Sequence, residues 1–203
     1  MNSPTVNTII KKLKSNYSDP LWEKRMSPID ELIFTILTQH TSDLNAEKAF
    51  NNLKRHYDNY ENIISADDKK IAKLIKSGGL SNIKSKRIIG VLSEIQNRVG
   101  KLNIDFLKDM SITKARDWLT SINGIGPKTA SCVLAFSFGL PVIPVDTHVH
   151  RVSKRIGLIS NKISADEAHG ILENKVKIEY RYKFHVLIIE HGRKVCHSRK
   201  PSC

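Results

Sequence analysis

Apolar residues recur at helical spacing along most of the chain, and no long segment alternates apolar and polar residues with a period of two. The first such stripe consists of Val6, Ile9, Ile10, Leu13 and Tyr17. An i, i+3, i+4 pattern places apolar side chains on one face of a helix, whereas a half-buried strand requires strict alternation. The sequence therefore predicts a nearly all-α fold of about ten short helices joined by tight loops.

Capping signals mark two of the predicted helix starts. Ser27 is a suitable N-cap residue, and Pro28 directly after it is well suited to the first helical position. Ser164 is followed three residues later by Glu167, which is the spacing of a capping box. Helices are therefore expected to begin directly after Ser27 and Ser164.

The charge balance favours a polyanionic partner. Lysine and arginine number 33 and aspartate and glutamate 20 in the 203 residues, so the formal charge is 33 − 20 = +13. A cationic enzyme of small molecules has the same composition, so charge alone does not decide the partner. The longest uncharged stretch, residues 129–145, is interrupted by glycine and two prolines and predicts a core helix with its exit loop, not a membrane span. Three cysteines do not make a secreted disulfide framework, which favours a cytoplasmic location.

Residues 119–130, Leu-Thr-Ser-Ile-Asn-Gly-Ile-Gly-Pro-Lys-Thr-Ala, combine a glycine turn with a lysine at a helix start. Gly124 and Gly126 permit a sharp turn and a close approach of the backbone to a partner. Pro127 suits the first helical position, and the N–H groups that follow form a site for an anion. An amine such as that of Lys128, placed at the positive end of a helix dipole, can become a nucleophile. The simpler interpretation is a helix–turn–helix corner with a surface lysine.

Asp146 lies eighteen residues beyond that lysine, in the segment Pro-Val-Asp-Thr-His at residues 144–148. It follows an extended Val-Pro-Val sequence and precedes a helical pattern, which predicts an N-cap. Together, Lys128 and Asp146 place an amine and a carboxylate at two helix N-termini that flank one apolar segment. His148 and His150 are expected to be structural or surface residues.

Three segments together closely resemble the helix–hairpin–helix DNA glycosylases of the endonuclease III type. They are residues 119–134, residues 145–148 and residues 191–196, the last reading His-Gly-Arg-Lys-Val-Cys. Residues 38–43 and 79–84 extend the resemblance over most of the chain. Several motifs in the right order are a much stronger indication than any one of them.

The resemblance implies two all-α lobes, one of six helices with the hairpin at residues 21–135 and one formed by residues 1–20 and 136–203. It implies a monomeric, non-membrane protein, nucleoid-associated in a prokaryote, that binds double-stranded DNA carrying a damaged base or an abasic site. The damaged nucleotide would be flipped into a cleft between the lobes.

Site residues also follow from the resemblance. Gly124 and Gly126 would offer backbone N–H groups to a DNA phosphate, a contact that anchors the duplex without reading sequence. Lys128 matches the family's nucleophile and Asp146 its assisting carboxylate. Purely hydrolytic relatives generally carry another residue in place of the lysine, so Lys128 implies a bifunctional glycosylase and AP lyase, with oxidised pyrimidines as the usual substrates.

Gln39 and His40 lie where the family places the residue that fills the gap left by the flipped base. A shift of one position in the alignment with the family exchanges the two residues, so either fits that role. The simpler interpretation is a polar pair on the surface at the C-terminus of a helix.

The C-terminal cysteines match half of the pattern C-x6-C-x2-C-x5-C, which holds a [4Fe–4S] cluster in many family members. The resemblance implies such a cluster with Cys196 and Cys203, which have the first spacing, as two of its ligands, but a cluster normally requires four thiolates. A truncated cluster protein, a branch that has lost its cluster, and a zinc site of His191, Cys196, His197 and Cys203 are the three explanations. Cys132 is expected to be a buried, small apolar residue.

Two alternatives to an oxidised-pyrimidine glycosylase follow from the same residues. One is a non-catalytic helix–hairpin–helix DNA-binding module, because phosphate clamping requires neither the lysine nor the aspartate. The other has the same chemistry on an oxidised purine, since pocket residues decide the base and the sequence does not identify them.

Overall fold

The structure, a computed structural model, describes residues 5–202. Eleven α-helices and three short 3-10 helices occur within that range, which contains no β-strand. The prediction of an all-α fold is therefore confirmed. Both predicted caps are also present, since the Ser27 hydroxyl accepts the Asp30 N–H and Ser164 and Glu167 form a complete capping box.

The chain divides into two compact units. Unit 2, Arg25–Val133, is continuous in sequence, and unit 1 combines Met1–Lys24 with Leu134–Cys203. The helix α8 begins in unit 2 and ends in unit 1.

Unit 2 packs its helices around fully buried aliphatic side chains that include Leu32, Ile36, Leu53, Ile88 and Leu92. Its helices are α2 (Pro28–Thr38), α3 (Asp43–His56), α4 (Glu61–Ile64), α5 (Asp68–Leu74), α6 (Ser81–Val99), α7 (Ile112–Thr120) and the start of α8 (Pro127–Phe138). The 3-10 helices Lys76–Gly78 and Asp105–Asp109 join some of them. The long helix α6 ends where Gly100 adopts the left-handed conformation, a common helix ending that favours glycine.

Unit 1 has a core of its own, in which the apolar face of α1 packs against residues from the C-terminal part of the chain. Phe184 and Leu187 are fully buried there. The helices are α1 (Val6–Lys14), the end of α8, α9 (Thr147–Arg155), α10 (Ala165–Lys175) and α11 (Arg181–Lys194), with the 3-10 helix Ile178–Tyr180 before α11. Within residues 5–202, no helix is long and apolar enough to cross a membrane.

Candidate functional site

The turn between α7 and α8 is a helix–hairpin–helix whose shape depends on Gly124. This residue has φ +95°, a left-handed conformation that favours glycine. A Cβ atom at Gly124 would lie 2.9 Å from Cγ of Arg87, so a side chain there would displace Arg87 as well as strain the backbone. Ile122 and Ile125 anchor the turn in the interior of unit 2, with exposed fractions of 1% and 4%. Gly126 is exposed, and a Cβ there would meet nothing within 4 Å.

Lys128 is the second residue of α8 and is half-buried. Pro127 occupies the first helical position, as the sequence predicts, so the chain turns directly from the hairpin glycines into the helix. The first turn contains no acidic residue, and the next residue, Thr129, is buried. The amine therefore extends from a helix N-terminus whose free N–H groups give it a positive electrostatic potential.

Gln39 is held by hydrogen bonds, whereas His40 projects outward. Arg87 donates to Oε1 of Gln39, and Nε2 of Gln39 donates to Oγ1 of Thr129 over 3.4 Å. This contact joins the end of α2 to the first turn of α8. His40 is exposed and has φ +54°, so its backbone leaves α2 in a left-handed turn. The two candidates for one role thus have different environments, and only His40 has an exposed side chain.

The loop before α6 lies beside His40 and was not assigned a role from the sequence. Leu80 has φ +47° and is 52% exposed, although it is apolar. A Cβ on the preceding glycine, Gly79, would lie 3.9 Å from the His40 carbonyl oxygen, so the two loops are neighbours. An apolar residue directly after the Gly-Gly pair and before a helix is the signal that could have identified this exposed site.

A buried lysine fixes both loops to the core of unit 2. Lys84 is 2% exposed, and its Nζ donates to the carbonyl oxygens of Leu37 and Gly78, each over 2.7 Å. Burial, with the neighbouring charge of Arg87, lowers the pKa of Lys84 to about 8. The amine therefore joins the last turn of α2 to the loop that carries Leu80.

Asp146 is the N-cap of α9 in unit 1, as the sequence predicts. Its Oδ1 accepts the Val149 N–H over 2.7 Å, and the residue is half-buried. The histidines that follow have structural contacts. Nη2 of Arg151 lies 3.1 Å from Nδ1 of His148, and Nε2 of His150 lies 2.9 Å from the Ile163 carbonyl oxygen.

The C-terminal segment after α11 is held by arginines from α9. Arg151 donates to the carbonyl oxygens of Gly192 and Cys196, and Arg155 donates to that of His197. Cys196 is buried, with its Sγ 3.3 Å from Nη1 of Arg155. These contacts hold the segment against α9.

The residues described do not fit a [4Fe–4S] cluster. Across residues 5–202, no three histidine, cysteine or acidic side chains are grouped so that they could hold a metal ion. Cys203, the other predicted ligand, lies outside the described residues, and Cys132 is buried in α8. The zinc explanation meets the same obstacle, because His191, Cys196 and His197 do not form such a group and Cys203 lies outside the described residues.

The family match, the similar sequences and a similar solved structure all indicate the same family. Residues 33–177 match the HhH-GPD superfamily base excision DNA repair protein family. The chain is 34% identical to endonuclease III of Rickettsia conorii, covering 100% of this chain and 92% of that protein. It is 32% identical to a putative DNA glycosylase of Arabidopsis thaliana over 86% of this chain, but spans only 59% of that longer relative.

The solved structure of a non-covalent endonuclease III–DNA complex has a similar fold. The TM-score is 0.85 at 26% identity, covering all of this chain and 91% of the other. This likeness extends beyond the segment matched to the family. The chain belongs to the HhH-GPD superfamily of base excision DNA repair proteins, and within it to the endonuclease III-like DNA glycosylases.

Proposed function

We propose that this glycosylase is bifunctional and that it removes oxidised pyrimidines from duplex DNA and then cleaves the strand as an AP lyase. The observation that carries the proposal is the position of Lys128, whose amine follows the hairpin turn directly at the N-terminus of α8. A purely hydrolytic glycosylase activates water and requires no amine at this place. A DNA-binding module requires only the backbone of the turn.

In the proposed reaction, Lys128 is the nucleophile. Its neutral amine forms a bond to the sugar C1′ while the bond from C1′ to the base breaks, and the bonding electrons leave with the base, which takes up a proton from water. The proton that the amine gives up passes to the ring oxygen O4′ as the sugar ring opens, which leaves a protonated imine between Lys128 and C1′. Loss of a proton from C2′ then expels the 3′ phosphate by β-elimination, which nicks the strand.

Asp146 is proposed to assist this reaction as a carboxylate. It would accept a proton from the incoming amine and stabilise the positive charge that develops on the sugar. Its present contact is compatible with that role, because only one carboxylate oxygen accepts the Val149 N–H and the second is left for another partner.

Duplex binding is proposed to begin at the hairpin. Gly124 and Gly126 bring the backbone close enough for N–H groups to reach a phosphate, and the net charge of +13 strengthens the attraction of DNA. His40 is proposed as the residue that fills the gap left by the flipped nucleotide, because Gln39 is already engaged by Arg87 and Thr129. Leu80, exposed beside it, offers an apolar surface for the unstacked bases.

The gap-filling assignment is tested by comparing His40→Ala with Gln39→Ala. His40→Ala should slow excision from a lesion duplex in single-turnover experiments without lowering the melting temperature. Gln39→Ala should lower the melting temperature, since Arg87 and Thr129 lose a partner. Equal rates for His40→Ala and the unmodified protein would remove His40 from the site.

Borohydride trapping tests the proposed chemistry. The protein is incubated with a duplex that carries one thymine glycol or one abasic site, and reduction should convert the imine into a stable covalent adduct. Lys128→Ala should abolish the adduct and the nick while it still binds DNA. Lys114→Ala, on the exposed surface of α7, is the matched control and should react normally.

The variant Asp146→Asn tests the carboxylate's role in the reaction separately from its role as the N-cap of α9. Asparagine caps a helix as well as aspartate does, so α9 should keep its stability while the single-turnover rate falls.

Normal nicking by Lys128→Ala would exclude the lyase assignment. Trapping at the abasic site but not at thymine glycol would transfer the proposal to another base, with an oxidised purine as the next substrate to test.

A further inference from the structure

The segment that leads to Asp146 is buried and has no regular secondary structure. Residues 142–145 are all buried, and residues 141–146 belong to neither a helix nor a strand. Buried backbone groups require hydrogen-bond partners, which helices and sheets normally supply. Here the Val142 N–H bonds to a backbone carbonyl, and side chains supply partners for four other backbone groups.

Two helices each present a pair of polar side chains, four residues apart, to this segment. From α10, Nδ1 of His169 donates to the Ile143 carbonyl oxygen over 2.9 Å, and Oε1 of Glu173 accepts the Ile143 N–H over 3.1 Å. Residues at i and i+4 lie on one helix face, so α10 holds both backbone groups of a single residue.

The helix α11 repeats the arrangement at the flanking prolines. Nη1 of Arg181 donates to the Pro141 carbonyl oxygen over 2.7 Å, and Nδ1 of His185 donates to that of Pro144 over 2.8 Å. Because a carbonyl oxygen only accepts, both histidines must carry a proton on Nδ1. His169 and His185 are 4% and 3% exposed, so water does not compete for these bonds.

We infer that His185, with His169 and Glu173, positions the carboxylate of Asp146 for the reaction. The inference rests on the proposed function of Asp146 and adds the residues that set its place. The Pro144 carbonyl is two residues before Asp146, and Pro144 itself has no N–H with which the backbone could make a second bond. The bond to His185 therefore restrains the backbone two residues before Asp146, directly ahead of the helix α9.

A double-mutant cycle in the full chain distinguishes positioning from general support of the fold. His185→Ala, Asp146→Asn and the double variant are compared by single-turnover excision of thymine glycol and by affinity for the same duplex. His185→Ala should lower the rate by about ten-fold to a hundred-fold, the loss expected from a small misplacement of a reacting group, with affinity changed less than two-fold. In the Asp146→Asn background, the same substitution should change the rate less than two-fold.

Conservative variants keep the experiment informative if His185→Ala fails to fold. Asparagine places an amide N–H near the position of Nδ1 and should recover most of the rate. Glutamine has its amide near the position of Nε2 and should not recover it, although both variants are polar and similar in size.

Two outcomes would overturn the inference, and a third concerns the proposed function alone. An equal loss of rate from His185→Ala in both backgrounds would make its role purely structural. Equal rates for the asparagine and glutamine variants would show that the Nδ1 donor is irrelevant. A normal rate for Asp146→Asn would instead refute the proposed function on which the inference rests.

Discussion

Lys84 provides the sharpest test of how unit 2 is held together. We predict that Lys84→Met destabilises the protein, because the carbonyl oxygens of Leu37 and Gly78 lose their donor and stay buried. A buried acceptor without a partner costs about 1–3 kcal/mol. Methionine has a similar volume, so the packing around the site should change little.

The loss of stability caused by Lys84→Met should be smaller than the sum of the costs of two unpaired carbonyl oxygens. The unmodified protein must bury the amine of Lys84, which is unfavourable, and the variant does not. An expected destabilisation of about 2 kcal/mol follows from two unpaired acceptors with that offset. For a chain of this length, such a loss corresponds to a fall of about 4–8 °C in melting temperature. Urea denaturation followed by circular dichroism at pH 7 measures the free energy directly.

The pH dependence gives the prediction a second, independent part. Burial lowers the pKa of Lys84 from 10.5 to about 8, so between these values the unfolded chain binds a proton that the native protein has lost. Stability therefore rises with pH across that window in the unmodified protein, and Lys84→Met lacks this contribution. The difference in unfolding free energy between the two proteins should widen from pH 8 to pH 10. A neutral amine keeps two N–H groups, so both hydrogen bonds can survive deprotonation.

Lys86→Met is the matched control on the same helix. Its amine is 3.8 Å from Asp68, and its side chain is 74% exposed, so its loss should change stability by less than about 0.5 kcal/mol. If Lys84→Met unfolds at the same urea concentration as Lys86→Met, the two carbonyls have other partners. The account of Lys84 as a fixed link between the loops would then be wrong.

Two further predictions concern the hairpin and the C-terminal segment. Gly124→Ala places a methyl group against Arg87 in a left-handed backbone, so duplex affinity in an anisotropy titration should fall about ten-fold, whereas Gly126→Ala should cause a smaller change. Arg151→Met removes the donor to two C-terminal carbonyl oxygens and should expose the segment after α11 to faster cleavage by trypsin. Lys154→Met on the same helix is its control, and equal cleavage rates for the two variants would contradict the prediction.

The sequence predicted the features that depend on local chemistry. Apolar spacing predicted the helices, and the caps at Ser27 and Ser164 were predicted because the capping residues are neighbours in the chain. Gly124 was predicted as a turn residue because its backbone freedom is intrinsic to glycine. The contact with Arg87, which a side chain at Gly124 would displace, joins residues far apart in sequence and is therefore not visible in any local pattern.

The contacts around the candidate site residues escaped prediction for the same reason. A lysine on a helix is expected at the surface, and only the fold shows that Lys84 points inward to two carbonyl groups. The distinction between Gln39 and His40 required the positions of partners on α6 and α8. Similarly, the bonds from His169 and His185 to the segment before Asp146 span 26 and 41 residues.

The order of the two units along the chain has a consequence for synthesis on the ribosome. Unit 2 is continuous and can complete its contacts once residue 133 has emerged, whereas unit 1 begins at the N-terminus and is finished only by residues 134–203. Translation of that last part takes about 4–14 s at the usual rates of elongation. At the start of this interval, the apolar face of α1 has none of its partners, and the set is complete only near its end, because they all lie between Ile143 and Cys196.

A nascent chain that has stalled or been cut short before α11 should therefore contain a folded unit 2 and an exposed N-terminal amphipathic helix. Such a helix is a binding site for chaperones and a starting point for aggregation. The helix α1 is thus made before unit 2 but buried after it, and the yield of soluble protein should depend on how quickly residues 134–203 follow.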